Sequence, residues 1–190
     1  MSNAIRKGEQ GIALPARRKA PAAAAEGPQA QPPRLARDLL RLSSQASSQP
    51  QHRFIQEMHA AALKIERQTG LPAPVILAQA ALESNWGRAA IGRYNVFGIK
   101  GEGSKGSIKV ATREYVNGKA IRTFAEFAHF ASFEEAFAAY AKLIHNGKHP
   151  RAVAAKSDPQ RYAKALQGTY ATDPGYGRKL IQIMRSQGLL

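Results

Sequence analysis

The sequence predicts an α+β domain, in which a mainly helical lobe and a β-hairpin lobe flank a substrate cleft. Three observations carry that expectation: an uncharged helical run that ends on a carboxylate, one alternating segment interrupted by Asn-Gly, and repeated helix-capping signals in the last third of the chain.

Residues 1 to about 50 differ in kind from the rest. The segment APAAAAEGPQAQPPR is rich in alanine, proline and glutamine and has no β-branched residue, which predicts a flexible, partly extended linker. Leu35, Leu39 and Leu42 then share one helical face beside arginines. That pattern could form a short amphipathic helix, docking on the neighbouring domain, on a partner or on a membrane surface. The folded domain is expected over residues 51–190.

The domain opens with QHRFIQEMHAAALKIERQTG, where Phe54, Met58, Ala61, Ala62 and Ile65 mark an amphipathic helix and Gly70 its stop. Next comes LPAPVILAQAALESNWG. From Leu71 to Leu82 no side chain is charged, so this helix should be packed on most of its sides, with Pro72 and Pro74 at its start, where proline is tolerated. Glu83 emerges where that run ends. A carboxyl group there is partly desolvated and close to the negative end of the helix dipole, and both effects raise its pKa, as a general acid requires. A solvated helix-end glutamate is the plainer reading of the same pattern.

A glycine-rich region follows, RAAIGRYNVFGIKGEGSKG, whose Tyr94, Val96, Phe97 and Ile99 imply that it packs onto something. Its glycines do not follow a phosphate-binding pattern. Then SIKVATREYV and KAIRTF, separated by Asn117-Gly118, read as two strands joined by a type I′ turn, because Asn-Gly supplies the two positive φ angles. Alternation sends Thr112, Glu114 and Val116 to one face of the hairpin and Arg113 and Tyr115 to the other. Glu114 therefore either looks into a groove or faces solvent.

The remainder reads as helical. Ser132 to Glu135 form a capping box, and the helix behind it carries Phe133, Phe137, Tyr140 and Ile144 toward the core, ending at Asn146-Gly147. Asp158-Pro159 and Asp173-Pro174 each place an acid before a first-turn proline, opening one helix that ends near Gly168 and another that ends at Gly188.

Composition narrows the function classes. Lys and Arg number 28 against 13 acidic residues, a net charge of +15, which favours an anionic partner. Residues 1–50 carry 8 − 3 = +5 and the rest 20 − 10 = +10, so the charge is not confined to a basic tail. No zinc-finger, basic-zipper or aromatic RNA-binding signature accompanies it, and no nucleic-acid partner is expected. There is no cysteine, and the five histidines form no ligand-spaced pair, so neither metal nor cofactor is expected. No stretch reaches the roughly 18 apolar residues of a membrane span, and the N-terminus lacks the apolar segment of a secretory signal.

Four motifs, AQAALESNWG, YNVFGIKG, TREYVNG and YATDPGYGRKL, occur in that order between residues 78 and 180. Together they resemble the bacterial N-acetylglucosaminidases of glycoside hydrolase family seventy-three, in particular the peptidoglycan-hydrolase domain of flagellar rod-assembly proteins. The resemblance covers residues from about 52 to 190. The tail before residue 50 does not look like the rod-binding domain of flagellar members.

The resemblance implies a lysozyme-like fold and hydrolysis of the β-1,4 bond following N-acetylglucosamine in peptidoglycan. Glu83 matches the family's catalytic acid, Glu114 lies in the hairpin motif that carries a second functional glutamate, and Tyr170 falls in the motif that supplies a cleft tyrosine. Trp86, Tyr94, Asn95 and Phe97 match positions lining or supporting the cleft. Such an enzyme acts in the periplasm or cell wall, and without a recognisable signal it would depend on a specialised export route or phage lysis system, contacted through residues 1–50. Two other classes stand beside the hydrolase. A lytic transglycosylase shares the single acid, although NVFGIK stands where those enzymes carry a GLMQ-like segment. A non-catalytic binder of cell wall or nucleic acid would rest on the +15 charge alone.

Overall fold

Apolar spacing builds the first wall of the structure, a computed structural model that describes the backbone of residues 34–116 and 119–190 and the side chains of residues 49–112 and 122–190. In helix α1 (Arg34–Thr69), Ile55, Met58, Ala61, Ala62 and Ile65 are buried on one face, at the 3–4 residue spacing of an amphipathic helix. Phe54, expected on that face, packs partly buried at its margin. Gly70 ends the helix in a left-handed conformation (φ 73°), its N–H donating to the Glu66 carbonyl at 2.7 Å.

The helix starts at Arg34, not after Pro50 as the sequence suggests. Pro50 lies inside α1, where it removes one backbone donor, and the helix runs on through it. The Ala/Pro-rich stretch before residue 34, and the side chains of Leu35, Leu39 and Leu42, lie outside the described residues.

Helix α2 (Ala73–Glu83) is the central element and packs against α1 and against the two helices that follow near the C-terminus. Val75, Ile76, Leu77, Ala78, Ala80 and Ala81 are buried, as the uncharged run predicts. Each fully buried branched side chain here contributes about 1.5–3 kcal/mol relative to exposure. A glutamate from α1 caps its start: Glu66 Oε1 accepts from the Ala73 N–H at 2.9 Å.

Strands β1 (Ser107–Val116) and β2 (Lys119–Ala128) form a two-stranded antiparallel sheet. Val116 pairs with Lys119 and Thr112 with Thr123, the register of a two-residue connection. Asn117 and Gly118 themselves, and the side chains of Arg113, Glu114, Tyr115 and Val116, lie outside the described residues.

Helix α3 (Phe133–Ile144) buries Phe137, Tyr140 and Ile144, and Phe133 packs at the core's margin. Only half of the capping box forms. Ser132 Oγ accepts from the Glu135 N–H at 3.3 Å, but the Glu135 carboxylate turns to the Ala131 N–H at 2.7 Å and the Ser104 hydroxyl at 2.7 Å. It thereby ties the loop before the hairpin to α3.

A short helix, α4 (Pro150–Ala154), was not evident in the sequence; α5 (Pro159–Ala165) opens on Asp158, whose Oδ1 accepts from the N–H groups of Gln160 and Arg161. Helix α6 (Tyr176–Ser186) starts later than Asp173-Pro174 suggests, with Gly175 as its N-cap. Asp173 Oδ1 closes a turn onto the Gly175 N–H at 2.7 Å, and this turn around Pro174 delays the first helical residue. No helix among the described residues is long and apolar enough to cross a membrane.

Candidate active site

The site grows from the C-terminal end of α2. Glu83 is the last helical residue, and the chain leaves it through a tight left-handed turn. The N–H of Trp86 reaches back to the Ala81 carbonyl at 2.8 Å and that of Asn85 to the Leu82 carbonyl at 3.4 Å, a Schellman-type cap with asparagine in the left-handed position. Asn85, Trp86 and Gly87 have φ of 50°, 60° and 81°. A bulky residue at positive φ is uncommon, and the buried Ser84 holds the turn by donating to the Ala80 carbonyl and accepting from the Gly87 N–H.

Glu83 is half-buried, and burial pushes its carboxyl above the ordinary 4.5, against the opposing effect of a hydrogen bond from Tyr176. That bond, from the Tyr176 hydroxyl to Glu83 Oε1, measures 2.6 Å. Tyr176 is the first residue of α6 and is itself buried. Its hydroxyl accepts from Gln79 Nε2 at 3.0 Å, and Gln79 Oε1 accepts from the Tyr140 hydroxyl, which also meets that of Tyr162 at 3.2 Å. A line of buried polar groups thus runs from α5 and α3 through α2 to the exposed edge of Glu83.

Tyr170 stacks on Tyr176 with ring centroids 5.8 Å apart and leans on Tyr140 at 6.3 Å. Burial, then the charge of nearby Glu83, holds its phenol well above the ordinary pKa, so it stays protonated. His149 backs the Tyr170 ring at 5.9 Å with Nδ1 3.2 Å from the Thr169 hydroxyl, and burial followed by the charge of Lys148 lowers its pKa and favours the neutral ring.

Glu83 and Tyr170 are therefore brought together. Asn95 and Phe97 are both buried, so neither presents a surface contact. Asn95 Nδ2 donates to the carbonyls of Ile99 and Ala128 at 2.9 and 3.0 Å, and its Oδ1 accepts from the Ile99 N–H at 2.9 Å. Phe97 stacks on Tyr140 at 4.6 Å. Tyr94 packs edge-on against Phe133 at 5.1 Å with the Arg93 guanidinium over its ring.

Trp86 turns toward α1, edge-on to Phe54 at 6.1 Å, where it lines a groove of about 450 Å³ with Arg53, Glu57 and Arg88 that does not include Glu83. Glu114 pairs with Ile121 in the hairpin register, and its side chain lies outside the described residues.

Sequence reasoning missed Tyr176 and Gln79 as site residues and assigned Tyr140 to the core alone. A signal for one of them existed. Gln79 is the sole polar side chain between Leu71 and Leu82 and stands four residues before Glu83, on the same helical face.

Residues 59–189 match the glucosaminidase family, described as mannosyl-glycoprotein endo-beta-N-acetylglucosaminidase. The chain is 40% identical over 145 residues to the peptidoglycan hydrolase FlgJ of Escherichia coli (strain K12), covering 70% of this chain and 46% of the relative. It is 36% identical over 155 residues to a probable N-acetylmuramidase of Lactococcus lactis subsp. cremoris, covering 76% of this chain and 36% of that one. The chain thus spans less than half the length of these relatives.

Among solved structures, the catalytic domain of the autolysin Auto from Listeria monocytogenes aligns with a TM-score of 0.70 at 32% identity, covering 80% of this chain and 94% of that domain. A C-terminally truncated glycoside hydrolase domain of Salmonella typhimurium FlgJ aligns with a TM-score of 0.60 at 35% identity, covering 74% and 99%. The fold is α+β and lysozyme-like. A capped central helix ending on a half-buried glutamate, within a match that spans most of the chain, makes this protein a member of the glucosaminidase family of glycoside hydrolases.

Proposed function

We propose that this protein is an endo-β-N-acetylglucosaminidase that hydrolyses the β-1,4 bond following N-acetylglucosamine in peptidoglycan. The observation that carries the reading is Glu83, a carboxyl group raised in pKa by burial at the end of the uncharged helix α2, with the protonated phenol of Tyr170 nearby. A carboxyl of raised pKa retains its proton at pH values where an ordinary glutamate is ionised, and can deliver it to the glycosidic oxygen as that bond breaks.

In the proposed step the C–O bonding pair leaves with the oxygen, which takes the Glu83 proton. Positive charge develops on the sugar carbon, water adds there, and a base removes the water's proton. Two groups are candidates to intercept that carbon, directly or through water. Glu114 stands on β1, in the same alternation as the half-buried Val110 and Thr112. As a base on water it belongs roughly 6.5–9.5 Å from Glu83, and as a covalent nucleophile roughly 5–5.5 Å. The substrate's own acetamido group is the other, as an internal nucleophile. Its carbonyl oxygen bonds to the sugar carbon as the glycosidic bond breaks, with Tyr170 supporting its developing charge. Water then displaces it from that carbon and gives its proton to the ionised Glu83.

The net charge of +15 suits a polymer rich in carboxylates. The site of action is then the periplasm or wall, and residues 1–50 are the segment proposed to engage an export apparatus. Deleting them should block delivery to the wall while leaving hydrolysis by the purified domain intact.

The test is digestion of purified peptidoglycan by wild type and by Glu83→Gln, with borohydride reduction and mass spectrometry of the new ends. Reduced N-acetylglucosamine that is absent with the variant supports the proposal. Reduced muramic ends would move the cut to the other glycosidic bond, the one named for the Lactococcus relative. Anhydro-muramic ends would mark a transglycosylase, and no products would leave a binding protein.

A further inference from the structure

The hydrogen-bond line behind Glu83 has a direction. Gln79 Oε1 can only accept, so the Tyr140 hydroxyl spends its single proton there. In its 3.2 Å contact with Tyr162 it must therefore accept, and Tyr162 donates. Anchoring Oε1 on Tyr140 leaves Gln79 Nε2 to donate to the Tyr176 hydroxyl, whose own proton then goes to Glu83 Oε1. Every donor from Tyr162 to Tyr176 points toward Glu83, and no described residue hydrogen-bonds Glu83 Oε2.

We propose that Gln79 and Tyr140 are positioning residues for the proton donor: they fix the Tyr176 hydroxyl as a donor to Glu83 Oε1 and so leave Oε2 as the oxygen that carries the transferable proton. The inference rests on Glu83 acting as general acid. The physical alternative is a reversed chain. If the Gln79 amide turned over, its oxygen would accept from Tyr176, and Tyr176 could meet Glu83 only by accepting a proton from Oε1. The transferable proton would then sit on the buried oxygen, directed away from the cleft.

Aligned donors also polarise one another, which strengthens the Tyr176 bond to the ionised carboxylate. Loss of the line raises the pKa of Glu83. The groups that face this line are Tyr176 on α6, Tyr170 before α6, Tyr140 on α3, Tyr162 on α5 and Gln79 on α2, with His149 behind Tyr170. None carries a formal charge when the phenols are protonated and His149 is neutral. Glu114 on β1 is the one acidic residue whose side chain, outside the described residues, bears on the same cleft in the proposed mechanism.

The experiment measures the pH profile of kcat and KM on peptidoglycan for wild type, Gln79→Met, Tyr140→Phe and Tyr162→Phe, beside Glu83→Gln and thermal melting of each. A general acid must be protonated, so the alkaline limb reports its pKa. The expected result is an alkaline limb displaced upward by about 0.5–1 pH unit in Gln79→Met and by less in Tyr140→Phe. Plateau kcat falls several-fold while KM is little changed, and the displacement in Tyr162→Phe is smaller again. Folded Gln79→Met with an unmoved alkaline limb and wild-type kcat would overturn the inference, as would a Tyr162→Phe displacement equal to that of Tyr140→Phe. Should Gln79→Met fail to fold, Tyr140→Phe decides by the same criterion, since it deletes one oxygen and keeps the ring stacked on Phe97. An active Glu83→Gln would sink the general-acid reading itself, whereas an inactive Glu83→Gln with unmoved limbs in the other variants sinks only the proposed roles of Gln79 and Tyr140.

Discussion

The Tyr176 hydroxyl lies 2.6 Å from Glu83 Oε1, joining the first residue of α6 to the last residue of α2 across 93 positions of sequence. Burial raises the carboxyl's pKa and this bond lowers it, so the pair sets how readily the acid gives up its proton. Tyr176→Phe removes the lowering contribution. The alkaline limb of activity should move to higher pH, and the protein should lose about 1–3 kcal/mol of stability because Gln79 Nε2 is left buried without an acceptor. A pH–rate profile and urea denaturation measure the two effects.

Glu83 should also destabilise the folded state at neutral pH. Its folded pKa lies above its ordinary 4.5, so the folded protein binds the proton more tightly than the unfolded chain. Its contribution to stability is fully present below pH 4.5 and is lost as pH rises through the folded value. Glu83→Gln cannot ionise and still accepts from Tyr176. Its melting temperature should exceed that of wild type at pH 7, and the gap should close below pH 4.5. Equal melting temperatures at pH 7 would argue against a desolvated carboxylate.

Gly177 allows α6 to approach α5. A β-carbon there would lie 2.9 Å from both the Ala163 carbonyl oxygen and the Lys164 Cα, backbone atoms that cannot swing aside. Gly177→Ala should cost about 1–3 kcal/mol. Because the shift falls one residue from Tyr176, activity should drop more than stability alone explains. Melting curves and activity at a temperature where the variant is fully folded separate the two.

Asn95 makes three hydrogen bonds to backbone groups of Ile99 and Ala128, tying the loop after α2 to the end of β2. Asn95→Ala deprives all three of their side-chain partner and should destabilise the protein by about 2–4 kcal/mol, as seen in denaturant midpoints. A change below 0.5 kcal/mol on the same scale would mean that the loop finds other partners.

The net charge of +15 predicts activity on peptidoglycan that declines with added salt, as the screening length falls from about 10 Å at 0.1 M to about 3 Å at 1 M. Activity on a short uncharged oligosaccharide should change little over the same range. Equal salt dependence for both substrates would remove long-range attraction as the cause.

Local signals located the elements well where the physics is local. The Asn117-Gly118 pair set the hairpin register seen in the Val116–Lys119 pairing, and Asp158 caps α5 through its own side chain. They misled where a neighbour intervened. Pro50 reads as a boundary and lies inside α1, Asp173 reads as a helix cap and instead closes a turn, and Glu135 leaves its capping box for Ala131 and Ser104. Each of those outcomes depends on groups that compete for the same hydrogen bond, and sequence spacing does not rank the competitors.

The same division runs through the site. The uncharged run from Leu71 to Leu82 by itself determined a buried central helix with Glu83 at its edge, because twelve residues without a charge can be satisfied only by packing. Tertiary structure decided what that carboxyl meets. Tyr176, Gln79 and Tyr140 come from three helices, and only the packing of α6 and α3 around α2 brings their polar atoms within hydrogen-bond reach. It also turned Trp86 toward Phe54 and α1, because the left-handed turn after Glu83 sets the direction of the next side chains. A buried polar group must find a partner, but which partner depends on distances that exist only once the chain has folded.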